Sequence, residues 1–396
     1  MEPLEVLAHL AGIGTPPDAQ MAFNFSVGLE NTITHIERET FPFLKVGGCE
    51  LQFVYGPYGR GKSHFLHSVE QTAKEKGLVT AYVDCRMGQS PFKSLRDTYS
   101  MIAQSIKPPP FSDEVCFSGG IAGVIEHFIR TGERDEIISI IKKVRASPLL
   151  APDYRNLVCA LAGVFNEEDD SLTESLKALL NADVFNSVTL GNLYRSNPEL
   201  PRPLGKLGTR NAGIWIRSLL SLPWILNFPG LVVLFDETER GHSFGSIVTR
   251  DQEEHLANLR NFVDYMAIGA FHGVSIYYAV VEDFIELART RLEALSQRIE
   301  RIRINNNPTP NPRAVWVSLD ELTRPSPVDP QFFIQLGEKI VTLGVCAGLP
   351  NKKVAGLVAQ LNLEAQRYAD KFNEGAVREF VKFAAALVAQ EVRSLD

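Results

Sequence analysis

The chain has 396 residues, 45% apolar and 22% charged, which is enough material for a hydrophobic core and excludes disorder as the main state. At ~150 residues per domain, that length corresponds to two or three domains. Forty Lys and Arg against 47 Asp and Glu give a net charge of -7, so any nucleic-acid contact must come from a local patch.

An amphipathic start (Leu4, Val6, Leu7, Leu10) leads to a loop and then a helix over roughly Leu29 to Glu39. The apolar run Leu51 to Tyr55 is stopped by Gly56 and reads as a buried strand. A helix begins near Lys62 with Phe65, Leu66 and Val69 on one face. Leu78 to Val83 is a second buried strand, and Ser94 to Ile106 a further helix, stopped by Pro108-Pro109-Pro110. This alternation predicts a parallel sheet covered by helices. From about 111 to 210 helical periods dominate, with Ile137, Ile138, Ile141 and Val144 in one helix and Leu172, Leu176, Leu179 and Leu180 in another. The acidic run Glu167 to Asp170 between them reads as a solvated loop. Strand character returns at Leu231–Phe235 and Val274–Val281, both almost wholly apolar, as strands buried on both faces are. The segment Asn305 to Pro312 holds only turn-favouring residues and is the clearest linker; helical periods follow it at Phe332–Leu343, Lys352–Leu361 and Ala376–Val392.

Five cysteines (Cys49, Cys85, Cys116, Cys159, Cys346) are odd in number and contain no Cys-x-x-Cys pair. That argues against a disulfide framework and a zinc site and fits a reducing cytoplasm. No signal peptide is expected. Ser218 to Phe235 carries no charge, but Pro223, Pro229 and Gly230 divide it into a helix tail, a turn and a short strand, so no membrane span is expected.

The chemistry concentrates in Gly56-Pro57-Tyr58-Gly59-Arg60-Gly61-Lys62-Ser63, a complete G-x-x-x-x-G-K-[ST] phosphate loop between a predicted strand and a predicted helix. Its glycines let backbone N–H groups wrap phosphate oxygens at a helix N-terminus, where the dipole favours anions. Lys62 reaches the β- and γ-phosphates in such a site, and Ser63 ligates Mg2+; His64, directly after them, joins the expected nucleotide contacts. Leu231 to Glu237 supplies the complement: an apolar strand ending in two carboxylates. Asp236 is the expected member of the Mg2+ shell, and Glu237 orients or deprotonates the attacking water.

Three further segments resemble parts of AAA+ ATPases. Ser26-Val27-Gly28-Leu29-Glu30 resembles the V-G-x-E box that opens these modules, which implies that Val27 and Gly28 line an adenine pocket; on its own it is equally a loop before a helix. Leu295-Ser296-Gln297-Arg298-Ile299 resembles the L-S-x-R-[IF] segment of the origin-recognition and STAND-like branch, implying that Arg298 is an arginine finger. Without that resemblance, Arg298 stands among Arg289, Arg291, Arg301 and Arg303 as an exposed helix face or a local phosphate-binding face for DNA. Gly375-Ala376-Val377-Arg378 resembles the G-x-x-R of the lid helix, whose arginine touches the nucleotide; the alternative is an arginine at a helix start. The strand ending Ala279-Val280-Val281-Glu282 departs from the AAA+ pattern, which places Asn, Thr or Ser there to position water.

The order as a whole, from about residue 23 to 392, is similar to the BREX system ATP-binding proteins (BrxD-like) of bacterial phage defence. The resemblance implies an ATPase that works with a helicase or with DNA-bound defence proteins, and a homo-oligomer if Arg298 serves a neighbour's nucleotide. The expected fold is an α/β P-loop NTPase (AAA+) sheet whose base comprises residues 1–110 and 211–304, with a helical insertion over 111–210 and a helical lid domain over 314–396. The expected activity is Mg2+-dependent ATP hydrolysis in the cytoplasm. Two rivals stand beside it: a nucleotide-gated scaffold that hydrolyses little, and a P-loop kinase, which lacks an identifiable acceptor site.

Overall fold

The structure, a computed structural model, describes residues 2–56, 61–85, 91–110, 117, 119–165, 170–183, 190–236, 250–281, 284, 316–319, 330–370 and 375–393. Pro57 to Arg60, Glu167 to Asp169, Glu237, Glu282, the five arginines from Arg289 to Arg303 and the 305–312 linker lie outside the described residues.

In chain order, α1 (Pro3–Ile13), α2 (Ala19–Asn24) and α3 (Glu30–His35) lead into a π-helical turn, Ile36–Thr40, and α4 (Phe41–Lys45). Strand β1 (Cys49–Tyr55), α5 (Lys62–Glu75), β2 (Val79–Asp84), α6 (Leu95–Ser105) and β3 (Ile106–Lys107) follow. Next come the helices α7 (Ile121–Thr131), α8 (Arg134–Ala146), α9 (Pro152–Val164), α10 (Asp170–Asn181), α11 (Leu190–Ser196) and α12 (Ala212–Ile225). The chain then returns to the sheet with β4 (Leu231–Asp236), α13 (Arg250–Ala267), β5 (Val274–Val280) and β6 (Trp316–Ser318). It closes with α14 (Gln331–Cys346), α15 (Asn351–Asp370) and α16 (Ala376–Arg393).

The six strands form one sheet in the order β3-β2-β4-β5-β1-β6. Every pairing is parallel except β2 with β3, so the sheet is mixed rather than parallel throughout. The exception has a local cause. Lys107 precedes three prolines, and the residue before a proline is pushed out of helical backbone into the extended region. The chain therefore leaves α6 and pairs antiparallel with Thr80 and Ala81.

Strands β4 and β5 are buried along their whole length, as their near-continuous apolar sequence requires of strands covered on both faces. One face packs Val54, Val232, Leu234, Tyr277 and Ala279 against Phe65, Leu66 and Val69 of α5 and against Leu29, Ile33 and Ile36. The other packs Phe53, Val233, Phe235 and Ile276 against residues of α6, α12 and α13. Ser94 caps α6, its hydroxyl accepting the Asp97 N–H at 3.4 Å.

The helix expected over Leu29–Glu39 runs on to Lys45 in three pieces. Phe41 donates its N–H to Ile36, five residues back, and Pro42 beside it has no N–H to give; the widened turn sits at that break in the hydrogen-bond ladder. Helix α12 likewise passes through Pro223 to Ile225, because the proline falls in its last turn.

Within the helical block, Trp215 is fully buried between Tyr99 (ring centroids 5.5 Å apart) and Tyr154 (5.2 Å), and its indole N–H donates to Asp153 Oδ2 at 3.1 Å. This pins α12 to α6 and α9. Trp215→Ala opens a cavity and removes the indole donor from Asp153 Oδ2. It should lower unfolding stability by about 3–5 kcal/mol, read as a fall in the denaturant midpoint, while Trp215→Phe loses less.

A separate core joins the two ends of the chain. Val6, Leu7 and Leu10 of α1 are buried with Phe333, Leu336 and Ile340 of α14 and Phe380, Ala384 and Val388 of α16. The amphipathic start therefore packs with the C-terminal helices. Gly14 ends α1 at φ 76°, and a Cβ there would come within 2.8 Å of the Arg378 carbonyl oxygen, so both conformation and space call for glycine.

Candidate nucleotide site

Strand β1 delivers the chain to Gly56, which is buried, and α5 begins at Lys62. Between them Gly61 stands at the N-cap with φ 85° and ψ 26°, left-handed backbone that glycine adopts without strain. Gly61 has no side chain with which to cap. The first N–H groups of this 14-residue helix thus have no side-chain cap, and together with its dipole they suit phosphate oxygens. Lys62 is only 7% exposed, and its ammonium donates to the Gly56 carbonyl at 2.8 Å across the base of the loop. A lysine held this deep needs anionic or carbonyl partners to offset its desolvation, and the Gly56 carbonyl is one of them.

Asp236 arrives from β4. Alternation along the strand sets Val232 and Leu234 on the α5 face, and the next residue in that series is Asp236. The carboxylate is 1% exposed and accepts a hydrogen bond from the Tyr82 hydroxyl, O···O 2.5 Å. The main chain is fixed too: β2 and β4 pair in parallel with Asp84 opposite Asp236, and the Cys85 N–H donates to the Asp236 carbonyl at 3.1 Å. Burial, then the Asp236 charge, raises the Tyr82 pKa, so the phenol stays protonated and acts as donor. The His67 ring of α5 lies flat on Tyr82, with centroids 4.3 Å apart and planes 4° apart. His67 Nδ1 is 3.3 Å from Glu70 Oε2, and Glu70 pairs with Lys74 at 2.6 Å. Burial alone would raise the Glu70 carboxyl, but His67 and Lys74 together hold it below its ordinary range.

The Val27–Gly28 segment lies beside the start of α5. Gly28 takes φ 75°, and its neighbours divide between cores, Val27 joining the C-terminal helices and Leu29 the α5 face of the sheet. Ser26 ties the segment down: its Oγ is 3.1 Å from His64 Nε2 and 2.8 Å from Ser68 Oγ, both on α5. Its carbonyl accepts from the Lys339 ammonium of α14. Burial, with the His67 and Lys339 charges adding to it, lowers the His64 pKa to about 4, so this imidazole is neutral at pH 7.

Lys62, Ser63, His64, Val27 and Gly28 thus cluster around the N-terminus of α5, and Asp236 faces that helix from β4. Arg378 stands apart from them: it is exposed at the start of α16, with its Cγ against Gly14. Tyr82, His67, Ser26 and Lys339 were not singled out by sequence. Tyr82 becomes recognisable once β2 is paired with β4, because the shared register then sets it diagonally across from Asp236. Lys339 has no sequence signal of its own on an amphipathic helix.

The residues fit a nucleotide with a divalent cation: an uncapped helix N-terminus for phosphates, a buried ammonium, a hydroxyl at Ser63 and a buried carboxylate opposite. The fold is α/β, with a mixed six-stranded sheet compatible with the P-loop NTPase class. A family model, BREX system ATP-binding protein BrxC/D, matches residues 5–145 and 205–362, well over half of the chain, and the chain belongs to that family. No curated protein and no solved structure matches it. The stretch between the two matched ranges holds α9, α10 and α11. Among the described residues no helix is long and apolar enough to cross a membrane.

Proposed function

We propose that this chain is a Mg2+-dependent AAA+ ATPase of the BrxD-like kind, working as a motor or switch in a DNA-directed defence complex. The observation that carries the ATPase reading is that one fold buries both Lys62, at the start of α5, and Asp236, at the end of the neighbouring strand β4. In this reading Lys62 and the first N–H groups of α5 hold the β- and γ-phosphates, while Ser63 and Asp236 hold the cation. Bound there, Mg2+ would neutralise the charge developing on the phosphates. Glu237, next in sequence, orients or deprotonates the attacking water. Val27 and Gly28 border the adenine, and Arg298 serves a neighbouring subunit's nucleotide. The 314–396 region acts as the lid, with Arg378 turned to the nucleotide when the lid closes.

The AAA+ reading draws support from the sheet order, in which β5 lies between β1 and β4, where the water-positioning residue of such modules is expected. The same strand favours a second reading. It runs out in Val280 and Val281, both buried and apolar, so a nucleotide-gated scaffold with slow hydrolysis stands as the alternative.

Phosphate release by the purified chain separates these readings. Turnover in Mg2+ that EDTA abolishes, without any acceptor molecule, supports the ATPase and excludes a kinase. Stimulation by single-stranded or duplex DNA supports the DNA-directed role. Tight ATP binding with no turnover under any of these conditions supports the scaffold.

A further inference from the structure

We propose that Tyr82 is a positioning residue for Asp236, its hydroxyl fixing one carboxylate oxygen so that the cation affinity of the nucleotide complex is set from β2. The proposal rests on the reading of Asp236 as a cation ligand.

Three observations carry it. The first is the bond itself, a phenol donating to Asp236 Oδ2 at 2.5 Å, the short distance of a charge-assisted hydrogen bond. The second is reach. The parallel register sets Tyr82 opposite Leu234 and Asp84 opposite Asp236. Tyr82 is therefore the diagonal neighbour of Asp236, a span of about 7–8 Å that an aromatic side chain covers and a short one does not. The third is the support of the ring. His67 stacks on Tyr82 with nearly parallel planes, and His67 is itself held by Glu70, which Lys74 pairs. Packing alone does not call for the hydroxyl, since phenylalanine would fill the same space and stack on the same imidazole. The hydroxyl serves Asp236. A carboxylate that binds a cation works best when its orientation is fixed by such a partner, and losing partners of this kind weakens metal affinity.

The experiment follows binding of a fluorescent ATP analogue (mant-ATP) as Mg2+ is titrated, with EDTA as the zero point, in wild type, Tyr82→Phe and Asp236→Asn. Tyr82→Phe should raise the Mg2+ concentration for half-maximal enhancement about tenfold, with binding in EDTA unchanged and only a modest fall in the melting temperature without nucleotide, since a buried carboxylate loses a donor. Asp236→Asn should lose the Mg2+ enhancement. If Asp236→Asn responds to Mg2+ like wild type, the reading of Asp236 as ligand fails. If Asp236→Asn loses the response while Tyr82→Phe keeps the wild-type curve, Tyr82 has no positioning role and Asp236 stands. Should Tyr82→Phe fail to fold, His67→Ala and His67→Phe decide: the alanine variant shifts the curve and the phenylalanine variant restores it if the clamped ring matters, and an unshifted alanine variant overturns the proposal.

Discussion

Lys62→Ala is expected to abolish measurable ATP binding while leaving the fold intact. The ammonium is almost fully buried and bonded to the Gly56 carbonyl, so the protein holds a desolvated positive charge at the phosphate loop. Contacts between such a charge and phosphate oxygens are strong because water competes for neither partner. Truncating one side of a buried charged pair costs about 2–5 kcal/mol, a loss of ~30-fold to several thousand-fold in affinity, and the expected result lies at the upper end of that range. The fold should survive, because α5 is anchored by Phe65, Leu66 and Val69, all fully buried, and not by its first side chain. Equilibrium binding together with thermal melting checks both halves. An alanine variant that melts like wild type and still binds ATP normally would remove Lys62 from the site.

Glu237→Gln is expected to keep nucleotide binding and lose turnover. The amide nearly matches the carboxylate in shape but accepts no proton, so the variant removes base catalysis, worth about 10²- to 10⁴-fold in rate. Asp236 is untouched, so Mg2+-dependent affinity should be preserved or tighter. Single-turnover phosphate release on enzyme preloaded with ATP reads this directly. Equal rates in the variant and wild type would assign the attacking water to another group.

Much of the candidate site is legible before the strands are paired. The loop from Gly56 to Ser63 is recognisable because phosphate binding needs glycine and lysine at fixed spacing. The strand ending in Asp236 stands out because burial on both faces demands an unbroken apolar run that stops abruptly at a charge. Features that depend on distant residues were not legible. Periodicity carries the helix to Ile106 and the prolines stop it there, but nothing local names Thr80 and Ala81 as the partners of Ile106 and Lys107. The packing of Val6, Leu7 and Leu10 with Phe380 and Val388 joins opposite ends of the chain, and amphipathicity alone does not name a helix's partner. Tyr82 looks like one more residue of a buried strand until its register with β4 sets it within reach of Asp236. Ser26 and Lys339 acquire meaning only when α14 is docked beside the start of α5. In each case the missing information was a long-range pairing rather than a local preference.

The most direct test of the account is the position of the nucleotide, measured in an experimental structure of the chain with Mg2+ and a non-hydrolysable ATP analogue. The expected result sets the β- and γ-phosphates within hydrogen-bond reach of Lys62 Nζ and the first N–H groups of α5, with Mg2+ between Ser63 Oγ and Asp236. A nucleotide bound elsewhere, or one at the loop whose cation approaches neither Ser63 nor Asp236, would contradict it.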